Sequence, residues 1–134
     1  MNQDNERISG QFLRLVEIMR KLRSPEGCSW DRKQTLATMT EHLAEESREV
    51  IEAIESGDML HVKEELGDLL MIIVFSAQIA AEAGTFDMAD VATGICEKLI
   101  GRHPHVFGEL DNSADPEAVI QMWGEIKKKE KADR

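Results

Sequence analysis

From Leu69 to Phe75 every residue is apolar, and this run lies inside a longer helical pattern extending from about Met59 to Ala83. Asp58 is placed to cap that pattern and Gly84 to stop it. A helix that is apolar on all sides has no face to give to water, so it must be surrounded. The requirement selects a helical bundle in which other helices of the chain cover this one, with part of the cover expected from another subunit.

The neighbouring helices follow from the same periodicity. Phe12, Leu15, Val16, Met19 and Leu22 recur at helical spacing, which predicts an amphipathic helix from about Ile8 to Arg23, stopped at Ser24-Pro25. Ser24 to Thr35 carries Pro, Gly and polar residues around Trp30 and is expected to be an irregular loop. Met39, Leu43, Val50, Ile51 and Ile54 share one face of a second helix, from about Thr38 to Glu55, which Ser56-Gly57-Asp58 ends. After Gly84, Asp87 can cap a fourth helix reaching about Ile100, and Gly101 with His103-Pro104-His105 should break it into a loop. Asp115, Pro116 and Glu117 announce a fifth helix through about Lys129. The expectation is an all-α helical bundle, a single domain over residues 1–134, with no internal repeat.

Composition removes several classes of function. With 42% hydrophobic residues, three prolines and no Tyr, the chain should fold and should favour helices over strands. Its 26 acidic and 16 basic residues leave a formal charge of -10, which opposes binding to nucleic-acid backbones or anionic lipid. The short basic run from Lys127 to Lys131 is a helical tail rather than a groove-sized patch. Cys28 and Cys96 lie far apart without a C-x-x-C or zinc-ligand spacing, so a reduced cytoplasmic protein is expected. Met1 to Ser9 lacks the apolar stretch of a secretory signal, and no apolar run approaches the roughly 18 residues of a membrane span. There is neither a G-x-S-x-G elbow nor a glycine loop for phosphates.

The chemistry-bearing feature is a pair of acidic clusters, Glu45-Glu46-x-x-Glu49 on the second helix and Glu64-Glu65-x-x-Asp68 on the third. Glu49 and Glu65 each lie eight residues from Gly57, and Glu46 and Asp68 each lie eleven. At a rise of about 1.5 Å per residue, the inner pair stands about 12 Å from the turn and the outer pair about 16 Å. Folded antiparallel, the two helices can therefore bring these acids together. At about 100° per residue, Glu46 and Glu49 fall beside the apolar stripe, whereas Glu41, Glu45 and Glu52 project toward solvent. Asp68 shares its line with Ile72 and Ile79, and Glu65 is close to it, so both sit at the edge of something buried. Clustered carboxylates repel by about 1 kcal/mol per pair in water at 4 Å and by about 4 at an effective dielectric near 20. A hard divalent cation, Mg²⁺ or Mn²⁺, relieves this through oxygen ligands. A di-iron carboxylate bundle would need a Glu-x-x-His motif from each of two helices, and the sequence has none.

These clusters also carry a resemblance. Cys28-Ser29-Trp30-Asp31-x-x-Gln34-Thr35, Glu45-Glu46-x-x-Glu49, Glu64-Glu65-Leu66-Gly67-Asp68, Lys98-x-x-x-Arg102-His103-Pro104-His105-Val106-Phe107 and Trp123-x-x-x-Lys127 together resemble the MazG family of nucleoside triphosphate pyrophosphohydrolases. The resemblance spans nearly the whole chain. It departs at Ser29, where relatives often have Pro, and in showing one module where some relatives carry two. It implies that Glu46, Glu49, Glu65 and Asp68 are magnesium ligands and that Lys98, Arg102, Trp123 and Lys127 serve the substrate. It further implies a homodimer or homotetramer, and hydrolysis of a nucleoside triphosphate to monophosphate and pyrophosphate. In that chemistry a ligand carboxylate, or Glu45 through a water, takes the proton. The competing reading is a non-catalytic helical dimer that binds a divalent ion or a partner protein.

For the remaining polar residues two roles stay open. Lys98 and Arg102, four apart, can face a polyphosphate together or simply complement a helix C-terminus. Trp123 and Lys127 repeat that offset, and Trp123 alone is equally explained by packing. Trp30 and Asp31 can stack on and hydrogen-bond a nucleobase, or Trp30 can plug the core. His103-Pro104-His105 reads as a fixed turn rather than a metal site.

Overall fold

The computed structural model describes residues 2–109 and 115–133, and among them it forms helices and no strand. The chain divides into two compact units, Met1–Met88 and Ala89–Arg134.

The first unit holds α1 (Gln3–Leu22), α2 (Ser29–Lys33), α3 (Leu36–Ser56) and α4 (Met59–Glu82). Both α3 and α1 pack on α4. Local chemistry fixes the ends. Asn2 caps α1 by accepting from the Asn5 amide at 2.8 Å, and Thr35 and Thr38 satisfy each other's amides at the start of α3. Gly57 ends α3 at φ +78°, where a side chain would be strained, and the Asp58 carboxylate then accepts from the amides of Leu60 and His61. The reversal between α3 and α4 thus takes only these two residues.

Met19 of α1, Met39 of α3, and Ile72, Val74 and Phe75 of α4 make the core, with Phe12, Leu15, Val16, Ile79 and Met88 packed around them. Burying a side chain of this kind contributes about 1.5–3 kcal/mol. The buried face of α3 is Met39, Glu46, Val50 and Ala53, so an acid lies within the stripe rather than beside it. Leu43, Ile51 and Ile54 are left exposed. On α4, Leu66, Leu70, Met71 and Ile73 are also at the surface of the single chain, and part of the cover for the run from Leu69 to Phe75 was expected from another subunit.

Three expectations about elements need correction. α1 begins at Gln3 rather than near Ile8, because its first turns are held by a cap and by Asp4 and Glu6 at the positive helix end, which no apolar pattern reveals. Ser29–Lys33 is a short helix where a loop was expected; a helix of five residues is too brief to show a period. In the second unit α5 (Met88–Arg102) continues through Gly101, and α6 (Pro104–Phe107) starts at Pro104, whose missing amide suits a first helical position. α7 (Pro116–Ala132) follows, with the Asp115 side chain accepting from the Ala118 amide at 3.0 Å. No helix among the described residues is long and apolar enough to cross a membrane.

Candidate active site

The α3–α4 hairpin brings carboxylate oxygens of Glu46, Glu49 and Glu65 within 4.8 Å of one another. Glu46 and Glu65 are buried, at 7% and 8% exposure, and Glu49 is half-buried. Among the described residues, Oε1 of Glu46 and Oε2 of Glu65 have no hydrogen-bond partner. The other oxygen of Glu65 lies 3.5 Å from Nε2 of His61, one turn earlier on α4. An ionised carboxylate only accepts hydrogen bonds, so these oxygens meet acceptor to acceptor and need a proton or a cation between them. Burial foremost, then hydrogen bonding with Glu65 and Glu49 and the charge of both, pushes Glu46 up to about 8. Hydrogen bonds between carboxyl groups exist only while one of them holds a proton.

Asp68 and Glu45 stand differently. Asp68, half-buried on α4, is not in the close trio but lines a cavity with Glu46. Glu45 is exposed, as its helical position predicts, yet also borders that cavity. Glu41 and Glu52 are exposed.

The cavity measures about 360 Å³. Its lining combines four acids, Asp31, Glu45, Glu46 and Asp68, with four apolar residues, Met39, Met71, Ile72 and Phe75. Trp30 and His42 complete it, their rings edge to face with centroids 5.7 Å apart. Trp30 is 54% exposed, which removes the reading of it as a core plug. A lining that mixes apolar side chains and acids suits a ligand with a planar apolar part and a cation-bound polar part.

In the second unit Lys98 and Lys127 are exposed, and Arg102 is half-buried. Arg102 Nη2 pairs with Glu130 at 3.2 Å, while its Nε is buried without a partner among the described residues. The Trp123 indole N–H donates to the Arg102 carbonyl at 2.8 Å, and its ring meets His103 edge-on at 5.3 Å. His103 Nδ1 lies 2.6 Å from the Leu99 carbonyl, so this histidine belongs to the turn.

Two residues at the site were not singled out by sequence. His42 lies four residues before Glu46 and seven before Glu49, a one-face spacing that marks it as a neighbour of the acids. Arg23 was read only as a helix end. Its partners lie 8, 11 and 59 residues away, a separation that no local pattern encodes.

The chain is similar in sequence and in fold to known proteins. The MazG nucleotide pyrophosphohydrolase domain matches residues 34–107. The chain is 50% identical over 123 residues to the nucleoside triphosphate pyrophosphohydrolase/pyrophosphatase MazG of Thermotoga maritima, covering 92% of this chain and 46% of that protein. It is 46% identical over 127 residues to the nucleoside triphosphate pyrophosphohydrolase of Escherichia coli K12, covering 92% of this chain and 47% of that one. The chain therefore spans about half the length of the curated relatives it matches. The crystal structure of a mazG-related protein from Thermotoga maritima superposes with a TM-score of 0.71 at 33% identity, over 86% of this chain and 97% of that one.

Proposed function

Because the chain belongs to the MazG nucleotide pyrophosphohydrolase family, we propose that it hydrolyses nucleoside triphosphates between the α and β phosphates, releasing monophosphate and pyrophosphate. The observation that carries this reading is the trio of Glu46, Glu49 and Glu65, with two buried orphan oxygens, beside a cavity lined in part by apolar residues.

All donors in the trio are carboxylate oxygens, the set that suits a hard divalent cation, Mg²⁺ or in its place Mn²⁺. Glu46, Glu49 and Glu65 hold it in this reading, joined by Asp68. Such a cation supplies charge neutralisation at phosphate oxygens and a lowered pKa for water. Glu45 borders the cavity outside the trio, so its carboxylate, or one of the ligands, accepts the proton of the attacking water. Trp30 and Asp31 receive the base, the ring by stacking and the carboxylate by hydrogen bonding. By the family resemblance, Lys98, Arg102, Trp123 and Lys127 would serve the substrate, the cations balancing the charge of the triphosphate and the departing pyrophosphate. The names of the relatives, which are pyrophosphohydrolases, support the reaction class.

The assembly in this reading is a homodimer or homotetramer. Leu66, Leu70 and Ile73 of α4 and Leu43, Ile51 and Ile54 of α3 form apolar lines at the surface of one chain, which a second copy would cover.

Incubation with Mg²⁺ and a panel of ribo- and deoxynucleoside triphosphates tests the proposal, with products separated by ion exchange. Monophosphate plus pyrophosphate is expected. Diphosphate plus phosphate would falsify the cleavage position, and metal binding without any turnover would leave the chain a non-catalytic helical binder.

A further inference from the structure

α2 has no buried residue, and at five residues it is far too short to be stable by itself. Its place depends on polar attachments: Arg32 reaches back from α2 to the carbonyls of Ser24 and Pro25, at 3.0 and 3.3 Å, and Arg23 ties the far end of α2 to α4. Arg23, at the C-terminal cap of α1, has a side chain only 7% exposed. Its Nε and Nη2 donate to the two oxygens of Glu82 on α4, at 2.8 and 2.9 Å. Its Nη1 donates to the carbonyls of Asp31 and Gln34, the latter at 3.1 Å, at the C-terminal end of α2. The guanidinium carbon also stands 5.5 Å from the ring centroid of Phe75. Asp31 and Phe75 both line the cavity and Arg23 does not, so this cation contacts two lining residues from outside the cavity.

We propose that Arg23 is a positioning residue for nucleotide recognition: by clamping the end of α2 to α4 it holds Trp30 and Asp31 against the cavity. This rests on the reading of that cavity as the nucleotide site. The geometry requires an arginine. Two parallel bonds to a carboxylate and two more to carbonyls use a planar fork, which the single ammonium of lysine cannot reproduce. The Asp31 carbonyl already accepts from the Gln34 amide at 3.3 Å, and the buried cation adds a second donor there and complements the negative helix end. None of the bonds of Arg23 reaches Glu46, Glu49 or Glu65. Loosening the clamp should therefore weaken substrate binding and leave the rate of bond cleavage in the bound complex nearly unchanged.

The test compares wild type with Arg23→Lys and, since a buried substitution can impair folding, with Glu82→Ala, which opens the clamp from its exposed side. Steady-state kinetics with Mg²⁺ and a triphosphate that wild type cleaves should show KM raised about tenfold or more in both variants. The kcat should stay within about twofold. Hydrogen exchange should accelerate in peptides covering residues 28–35 and stay at wild-type rates in 36–56. Unchanged KM, a fall in kcat at constant KM, or wild-type protection of 28–35 in both variants overturns the role of Arg23. Wild type that cleaves no triphosphate instead sinks the hydrolase reading, so the two failures are told apart by the wild-type control.

Discussion

The indole N–H of Trp123 on α7 donates to the main-chain carbonyl of Arg102, the last residue of α5, at 2.8 Å. A terminal carbonyl of one helix is thereby satisfied by a side chain of another, and the Trp123 ring packs edge-on against His103 in the intervening turn. The family resemblance gives Trp123 to the substrate, but these contacts give it a structural duty within its own unit. Trp123→Phe keeps a ring and removes the donor. Loss of about 1 kcal/mol of stability is expected, the net value of one such bond, measured by urea unfolding. A variant as stable as wild type would show that the bond contributes nothing.

Glu46 makes stability depend on pH with a sign opposite to that of an ordinary paired carboxylate. Its folded pKa of about 8 lies above the 4.5 of an unperturbed glutamate, chiefly through burial. Between those values the folded chain keeps a proton that the unfolded chain has released, so stability falls as pH rises through that window. Glu82 supplies the acid limb. The Arg23 hydrogen bonds hold its pKa below 4.5, so its contribution is present above that value and is lost as pH falls through the folded pKa. Thermal melts from pH 5 to 9 without divalent ions should show a declining Tm. Mg²⁺ should reduce the decline, and Glu46→Gln should abolish both the decline and the Mg²⁺ effect. A Glu46→Gln protein with the wild-type slope would place the titrating group elsewhere.

Much of the site was legible because helices project residues at fixed angles. The equal spacing of Glu49 and Glu65 about Gly57 is a property of two straight rods and one tight turn, and the carboxylates of both residues lie in the close trio. The burial of Glu46 was less legible. Leu43, Ile51 and Ile54 set the predicted apolar stripe, yet they lie exposed on the single chain, and the buried line runs through Met39, Glu46, Val50 and Ala53. Hydrophobicity alone does not tell a face that packs within the chain from one left open to a partner. Short helices were invisible for a different reason, since α2 and α6 complete hardly more than one turn.

Asp68 and Glu52 test the proposed division between ligand and bystander. Asp68 borders the cavity beside Glu46, whereas Glu52 lies exposed on α3. Asp68→Asn should retain helical circular dichroism and lose on the order of a hundredfold or more of the Mg²⁺-dependent pyrophosphate release. Glu52→Gln should stay within about twofold of wild type, as surface substitutions commonly do. Equal losses in the two variants would mean that the orientation of the acids has been misassigned.

Gly27 governs how the segment bearing Trp30 leaves α1. Its amide donates to the Ser24 carbonyl at 2.9 Å, and the next amide, of Cys28, donates to the Leu22 carbonyl at 2.8 Å. This draws the chain onto the end of α1 so closely that a Cβ on residue 27 would overlap the carbonyl oxygens of Lys21 and Leu22. The obstacle is backbone, which cannot rotate away as a flexible side chain would. Gly27→Ala must therefore push the segment off α1, lengthen the Cys28 bond and displace Arg23, which follows directly on α1, from its partners on α2. A loss of about 1–3 kcal/mol is expected from overpacking of this kind. Acrylamide quenching of Trp30 should rise with it, read in a Trp123→Phe background so that one indole reports. The atoms nearest the added Cβ belong to Lys21 and Leu22 of α1, away from the carboxylate trio, so the metal-induced rise in Tm should survive. A Gly27→Ala protein with wild-type stability and quenching would show that the close approach at α1 does not set the position of Trp30.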